Sequence, residues 1–278
     1  MAVLLLSSSS AALSRDKIDN GTATDTESPY FRLAGEADTA IAKGEYSLAE
    51  SKLLEALRLE PGNPSNVLMM SNLGLVRFYM GRDDEALQTL NDACAAAPSS
   101  TTVLSNRARV LMSMGRPDEA RADFARVLAV DSTLVTPRFY HGILSLRAGD
   151  IVTASTDFKR LEQADPKSFE ANFAMATLNT ALGNNLEAIP YFNRLIEIDP
   201  QAEYYAARAL CNLQLDRLNE ASEDISKGLE LDSKDGELYL YRAMLNKMRF
   251  RPEDADADAR KAMQHGVPRE RVKPFLLK

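Results

Sequence analysis

The chain has 278 residues, 45% of them apolar and 26% charged, and a net charge of −7. That acidic balance repels phosphate on average and argues against a nucleic-acid partner. No run of apolar residues approaches the roughly 18 that a membrane-crossing helix needs, so no transmembrane span is expected. Cys94 and Cys211 are too few for a disulfide framework, and with His141 and His265 as the only histidines a Cys/His metal centre is not expected either.

The first 14 residues, MAVLLLSSSSAALS, join a short apolar run to small residues. This resembles the core and cleavage end of a secretory signal that lacks its basic start, so an exported or periplasmic location is the expectation and the cytoplasm the alternative. Residues 15–29, RDKIDNGTATDTESP, are polar and turn-rich and read as a linker.

From residue 30 to 269 the chain repeats itself. Segments such as GEYSLAESKLLEALRLEP, GRDDEALQTLNDACAAAP and GNNLEAIPYFNRLIEIDP open on Gly44, Gly81 and Gly183, with further copies at Gly115 and Gly149. An alanine follows five residues later, at Ala49, Ala86, Ala120, Ala154 and Ala188, and two weaker copies are anchored by Ala221 and Ala255. The alanine spacings are 37, 34, 34, 34, 33 and 34, which is the period of a stacked array. Each unit is numbered here from place 1 to place 34, with the glycine at place 15. Asp216 and Phe250 stand at that place in the last two units.

Apolar residues return every three or four positions on both sides of place 15, as in Leu73, Val76, Phe78 and then Leu87, Leu90, Ala93, so each unit reads as two helices. Glycine at place 15 ends the first helix. Pro61, Pro98, Pro166 and Pro200 end the second. Place 8 is always small (Ala37, Gly74, Ala108, Gly142, Ala176, Ala209, Ala243), which lets two helix axes approach.

Two antiparallel helices folded about place 15 bring places 7 and 23 together. Arg107 is then expected to face Asp123, Arg208 to face Asp224, Arg242 to face Asp258 and His141 to face Asp157, with the signs reversed at Glu36 and Lys52. Units with no charge at place 7 have none at place 23: Leu73 with Thr89, and Met175 with Tyr191. A row of arginines that taken alone suggests an anion site is thereby read as a set of ion pairs within repeats.

This pattern resembles the tetratricopeptide repeat family over about residues 30–269. It departs from the family at place 11, where the usual tyrosine is absent. The resemblance implies an all-α, right-handed superhelical solenoid of about seven helix-turn-helix units, because one helix pair cannot bury its own apolar face. It also implies a concave face built from places 2, 5, 9 and 12 of the first helices. Place 12 is expected to pack between units. The candidate peptide-binding residues are then Ser71, Leu75, Arg109, Phe139, Ile143, Phe173, Thr177, Leu210, Leu240 and Met244. The implied ligand is an apolar or amphipathic protein segment laid along the groove. The family's clamp for a chaperone's C-terminal carboxylate is incomplete here, since Ala34, Asp38, Ser71 and Leu75 stand where its lysine and asparagine belong and only Asn72 and Asn106 match.

After the last repeat, residues 270–278 read as a cap or tail, with Phe275, Leu276 and Leu277 covering the end of the stack and Pro274 keeping any helix short. Neither a phosphate-binding glycine loop nor a nucleophile elbow nor a zinc-binding helix motif occurs. Asp254, Asp256 and Asp258 alternate, but a calcium loop needs glycine and glutamate where Ala259 and His265 stand. No catalytic residue, cofactor or metal is therefore expected. The expected function is a non-catalytic scaffold or adaptor, with a structural or accessory subunit of an envelope or secretion assembly as the alternative.

Overall fold

The computed structural model describes residues 28–277, which contain fifteen α-helices and no strand. The signal-like segment and nearly all of the expected linker lie outside the described residues. Two compact units are distinguished, 28–150 and 151–277. The division falls in the turn of the fourth repeat, so His141 and Asp157 belong to different units.

The first unit holds α1 (Pro29–Lys43), α2 (Tyr46–Leu59), α3 (Asn66–Tyr79), α4 (Asp83–Ala96), α5 (Thr101–Ser113), α6 (Pro117–Val130) and α7 (Val135–Arg147). α1 packs on α2, α3 on α4 and α5 on α6 as helical hairpins, and α2, α4 and α6 each pack on the helix that follows. The second unit holds α8 (Ile151–Ala164), α9 (Phe169–Leu182), α10 (Asn185–Ile198), α11 (Ala202–Gln214), α12 (Leu218–Leu231), α13 (Gly236–Met248), α14 (Pro252–Gln264) and the short α15 (Arg269–Val272). Its hairpins are α9–α10, α11–α12 and α13–α14. The helix-turn-helix repeat architecture is the one the periodicity implies.

The hairpins close for local reasons. Gly44 and Gly183 adopt φ of 75° and donate their N–H groups back to the carbonyls of the helix they end. Asp216 and Phe250 take the same left-handed conformation at φ 57° without being glycine. Between repeats, Asp131, Asp165 and Asp232 each accept the backbone N–H two residues on, fixing the turn before the next helix. The side chains of Ser100, Ser168 and Asp235 then cap α5, α9 and α13.

The small residue at place 8 has a visible purpose. A Cβ on Gly74 would lie 2.6 Å from Leu90 Cγ, so the glycine lets α3 and α4 close on each other. Leu90 stands at place 24, whose occupants Leu53, Phe124, Phe158, Phe192 and Ile225 are all essentially fully buried. A large residue on the second helix thus fills the space left by a small one on the first.

Phe250 combines a left-handed backbone with a side chain that is 93% exposed. A bulky residue pays roughly 1–2 kcal/mol for that conformation and here recovers nothing by burial. Phe250→Gly is expected to stabilise the second unit by about 0.5–1 kcal/mol once the extra freedom of unfolded glycine is counted. Urea unfolding followed by circular dichroism measures it, and an unchanged or lowered midpoint would show that the strain is relieved elsewhere.

The tail forms a truncated continuation of the stack. Val272 is fully buried, and Phe275 and Leu276 pack on the cluster formed by α11–α14. Arg271 pairs with Glu237, its Nη2 2.7 Å from Oε2. Lys247 Nζ donates to the Pro274 carbonyl at 3.0 Å. Of the three apolar tail residues, Leu277 does not cover the core: its side chain is half exposed, and its backbone N–H donates to Asp256 Oδ1 at 2.9 Å.

Candidate ligand-binding faces

The ion pairs bear on which polar residues are free for binding. Arg107 grips Asp123 with two bonds of 2.7 Å, and Arg242 grips Asp258 at 2.9 and 2.7 Å. Arg208 holds Asp224 in the same way, and Lys52 lies 2.7 Å from Glu36. The aspartates are buried while the arginines remain partly exposed. These arginines are occupied by the fold and do not form an anion-binding stripe.

Part of this network is not evident from the pairing rule. Asn212 and Asn246, both at place 11, donate to the second carboxylate oxygen of Asp224 and Asp258 at 3.0 and 2.9 Å. Asparagine thus serves where the family's tyrosine is missing. Arg107 and Arg208 also donate to Asn91 and Asn193 on the preceding repeat, tying neighbouring repeats together. The recurrence of asparagine at places 11 and 25 was the available signal. In the second repeat, which has no such pair, Arg77 donates to Thr89 at 2.7 Å and to Glu50 at 3.0 Å.

First helices of neighbouring repeats touch directly, α3 with α5 and α11 with α13, and these define the inner register of each unit. In the first unit, Ser71, Phe139 and Ile143 are buried, at 0%, 6% and 4% exposure. Ser71 accepts a hydrogen bond from Asn106 Nδ2 at 3.0 Å, so the one later asparagine that fits the carboxylate clamp on α5 is committed to packing. Leu75 and Arg109 keep part of their surface. In the second unit, Phe173, Thr177 and Leu240 are buried. Phe173 packs edge-on to Tyr204, and Thr177 Oγ1 donates to the Phe173 carbonyl at 2.7 Å. Leu210 and Met244 are partly exposed. The candidate site is therefore thinner than residue type suggests: six of the ten candidate residues are buried.

The chemistry-bearing residues elsewhere are also taken up by structure. Cys94 and Cys211 are free thiols in buried positions. Burial pushes both upward, Cys211 to about 11, which keeps them protonated and poorly nucleophilic. Asp256 binds Arg260 and the tail, whereas Asp258 binds Arg242, so the alternating aspartates of α14 do not converge. Among the described residues no group of three or more His, Cys, Asp or Glu is placed to hold a metal. Among the same residues, no helix is long and apolar enough to cross a membrane.

A second surface differs from the inner faces. In the second unit the turns within repeats expose Ile151, Val152, Leu182, Leu186 and Phe250. In the first unit the turn of the first repeat exposes Leu48, and those of the second and third present the polar runs Arg82–Glu85 and Arg116–Glu119.

Comparison with known proteins supports the repeat architecture. Models of the tetratricopeptide repeat match residues 35–101, 101–130, 145–211 and 202–235. Curated proteins give no match. Among solved structures, a tetratricopeptide repeat protein from Parabacteroides merdae ATCC 43184 is 27% identical, covering 89% of this chain and 97% of its own, with a TM-score of 0.67. PilW, a type IV pilus biogenesis factor, is 22% identical over 75% of this chain and 96% of its own, with a TM-score of 0.65. YrrB, a repeat protein with an unusual peptide-binding site, is 17% identical over 68% of this chain and 97% of its own, with a TM-score of 0.55. At these identities PilW and YrrB bear on the fold alone. With the helical hairpins, the place-8 packing and the four matched segments in agreement, the chain belongs to the tetratricopeptide repeat family.

Proposed function

We propose that this chain is a non-catalytic scaffold that binds a segment of another protein along the inner register of its first helices. The observation that carries the reading is the partial exposure of Leu75 and Arg109 in one unit and of Leu210 and Met244 in the other, at the same place of successive repeats. These side chains keep part of their surface, Leu210 and Met244 while also packing against the α11–α14 cluster, whereas Ser71, Phe139, Ile143, Phe173, Thr177 and Leu240 are buried. A partly exposed apolar row at a fixed register suits an apolar or amphipathic segment. No cofactor, metal or nucleic acid enters this reading.

Leu75→Glu and Met244→Glu are the variants that test it, because both side chains are partly exposed; Met244 also packs against the α11–α14 cluster, so Leu75→Glu is the milder of the two. Phe139 and Phe173 are unsuitable, since a charge at either would unfold the repeat around it. Partners captured by the wild-type chain from native extract are expected to be lost, by about tenfold or more, with either variant after circular dichroism shows native helicity. Identical partner lists from variant and wild type would sink the reading.

The exposed turns of the second unit favour a second reading, a structural or accessory subunit of a larger assembly, held through Val152, Leu186 and Phe250 rather than through the groove. Under it, Val152→Asp with Leu186→Asp releases the chain from its complex, while the groove variants leave that complex intact.

A further inference from the structure

The inner register of the first unit carries two opposite charges that the fold does not pair. Asp38 on α1 and Arg109 on α5 occupy place 9 of the first and third repeats, and both are half-buried. Among the described residues no hydrogen bond or ion pair reaches the Asp38 carboxylate, and burial raises its pKa. Arg109 makes one long contact, Nη1 donating to Asn106 Oδ1 at 3.4 Å, and meets no carboxylate among the described residues. By contrast, half-buried Glu50 accepts from Arg77 and Arg82, and buried Asp123 from Arg107. A half-buried charge without a partner destabilises the chain that carries it. Two of them, of opposite sign and at one register, flank Leu75 at place 9 of the repeat between.

We propose that the first unit binds a zwitterionic segment of a partner protein, with a basic side chain on Asp38, an acidic one on Arg109 and an apolar one over Leu75. The proposal rests on the groove reading above and adds a charge order to it. α3 packs directly on α5, whereas α1 reaches α3 mainly through α2, so at least one helix width of roughly 10–12 Å separates α1 from α5. At least three or four extended residues cover that distance, which sets the minimum spacing of the two charges on the ligand. Leu75 excludes water between them and so strengthens both ion pairs.

The test uses the full chain and four fluorescent peptides of about seven residues, a length above that minimum. Each has the same leucine–alanine centre, with end residues lysine and glutamate, two lysines, two glutamates, or two glutamines. Fluorescence anisotropy is expected to give the lysine–glutamate peptide about tenfold higher affinity than the glutamine one at low salt, a gap that narrows as salt rises. Asp38→Lys is expected to transfer the preference to the two-glutamate peptide, and Arg109→Glu to the two-lysine peptide. The double variant is expected to prefer the lysine–glutamate peptide again, bound in the opposite direction. Circular dichroism checks that each variant keeps its helices. Four equal affinities would overturn the charge order and leave an apolar groove standing. No binding of any peptide by the folded chain would overturn both readings, as would a face already filled by a second copy or by residues 1–27.

Discussion

Arg208→Ala is expected to cost the second unit about 3–5 kcal/mol. The reason is the state in which it leaves Asp224, a buried carboxylate that loses a fork of bonds from Arg208 and keeps only Asn212. The arginine also ties α11 to Asn193 on α10, so the loss reaches the preceding repeat. Removing both partners together, as Arg208→Met with Asp224→Leu, is expected to recover most of the deficit, since no charge is then stranded. Denaturant unfolding of the wild type, the single variant and the double variant separates these terms. A single variant within about 1 kcal/mol of wild type would mean that the pair behaves like a surface salt bridge. A double variant no better than the single would mean that packing rather than charge is lost.

Phe124→Ala is expected to destabilise the first unit by about 3–5 kcal/mol. Phe124 is 1% exposed and sits in a cluster with Ala108, Leu111, Ala120 and Leu144. Its ring stacks on Tyr140 with centroids 5.7 Å apart, so the substitution opens a cavity and also breaks an aromatic pair that joins α6 to α7. Because each repeat contacts only its neighbours, the damage should spread along the unit and broaden the transition rather than shift it as a whole. Hydrogen exchange is the direct readout: amides of α5, α6 and α7 are expected to lose protection before those of α11 and α12. Uniform loss across the chain would show instead that the two units unfold as one.

Much of the architecture was legible because a repeat states its rules several times. One small residue at place 8 means little, but seven in a row identify the contact between helices, and Gly74 against Leu90 is that contact realised. The same redundancy predicted the partners of Arg107, Arg208 and Arg242 from a register argument alone. Asp216 and Phe250 were placed at a glycine position by spacing, and both adopt the left-handed backbone that position imposes. Conformation there follows from the geometry of the hairpin, which overrides the preference of the residue.

The candidate site was less legible, and the reason is geometric. Places 5 and 9 point toward the inner register, yet a side chain there is exposed or buried according to how closely neighbouring first helices approach. Phe173 disappears against Phe169 and Tyr204, and Leu240 into the cluster that the tail completes, whereas Leu75, Leu210 and Met244 keep part of their surface. Residue type does not separate these cases. Residue order was enough for the helical class, the repeat register, the hairpin turns and the ion pairs, because all of these depend on contacts at short and regular separation along the chain. Which charges stay unpaired and which apolar side chains stay in water depended on the tertiary structure, because exposure is set by every neighbour at once and burial is not a property of any one position.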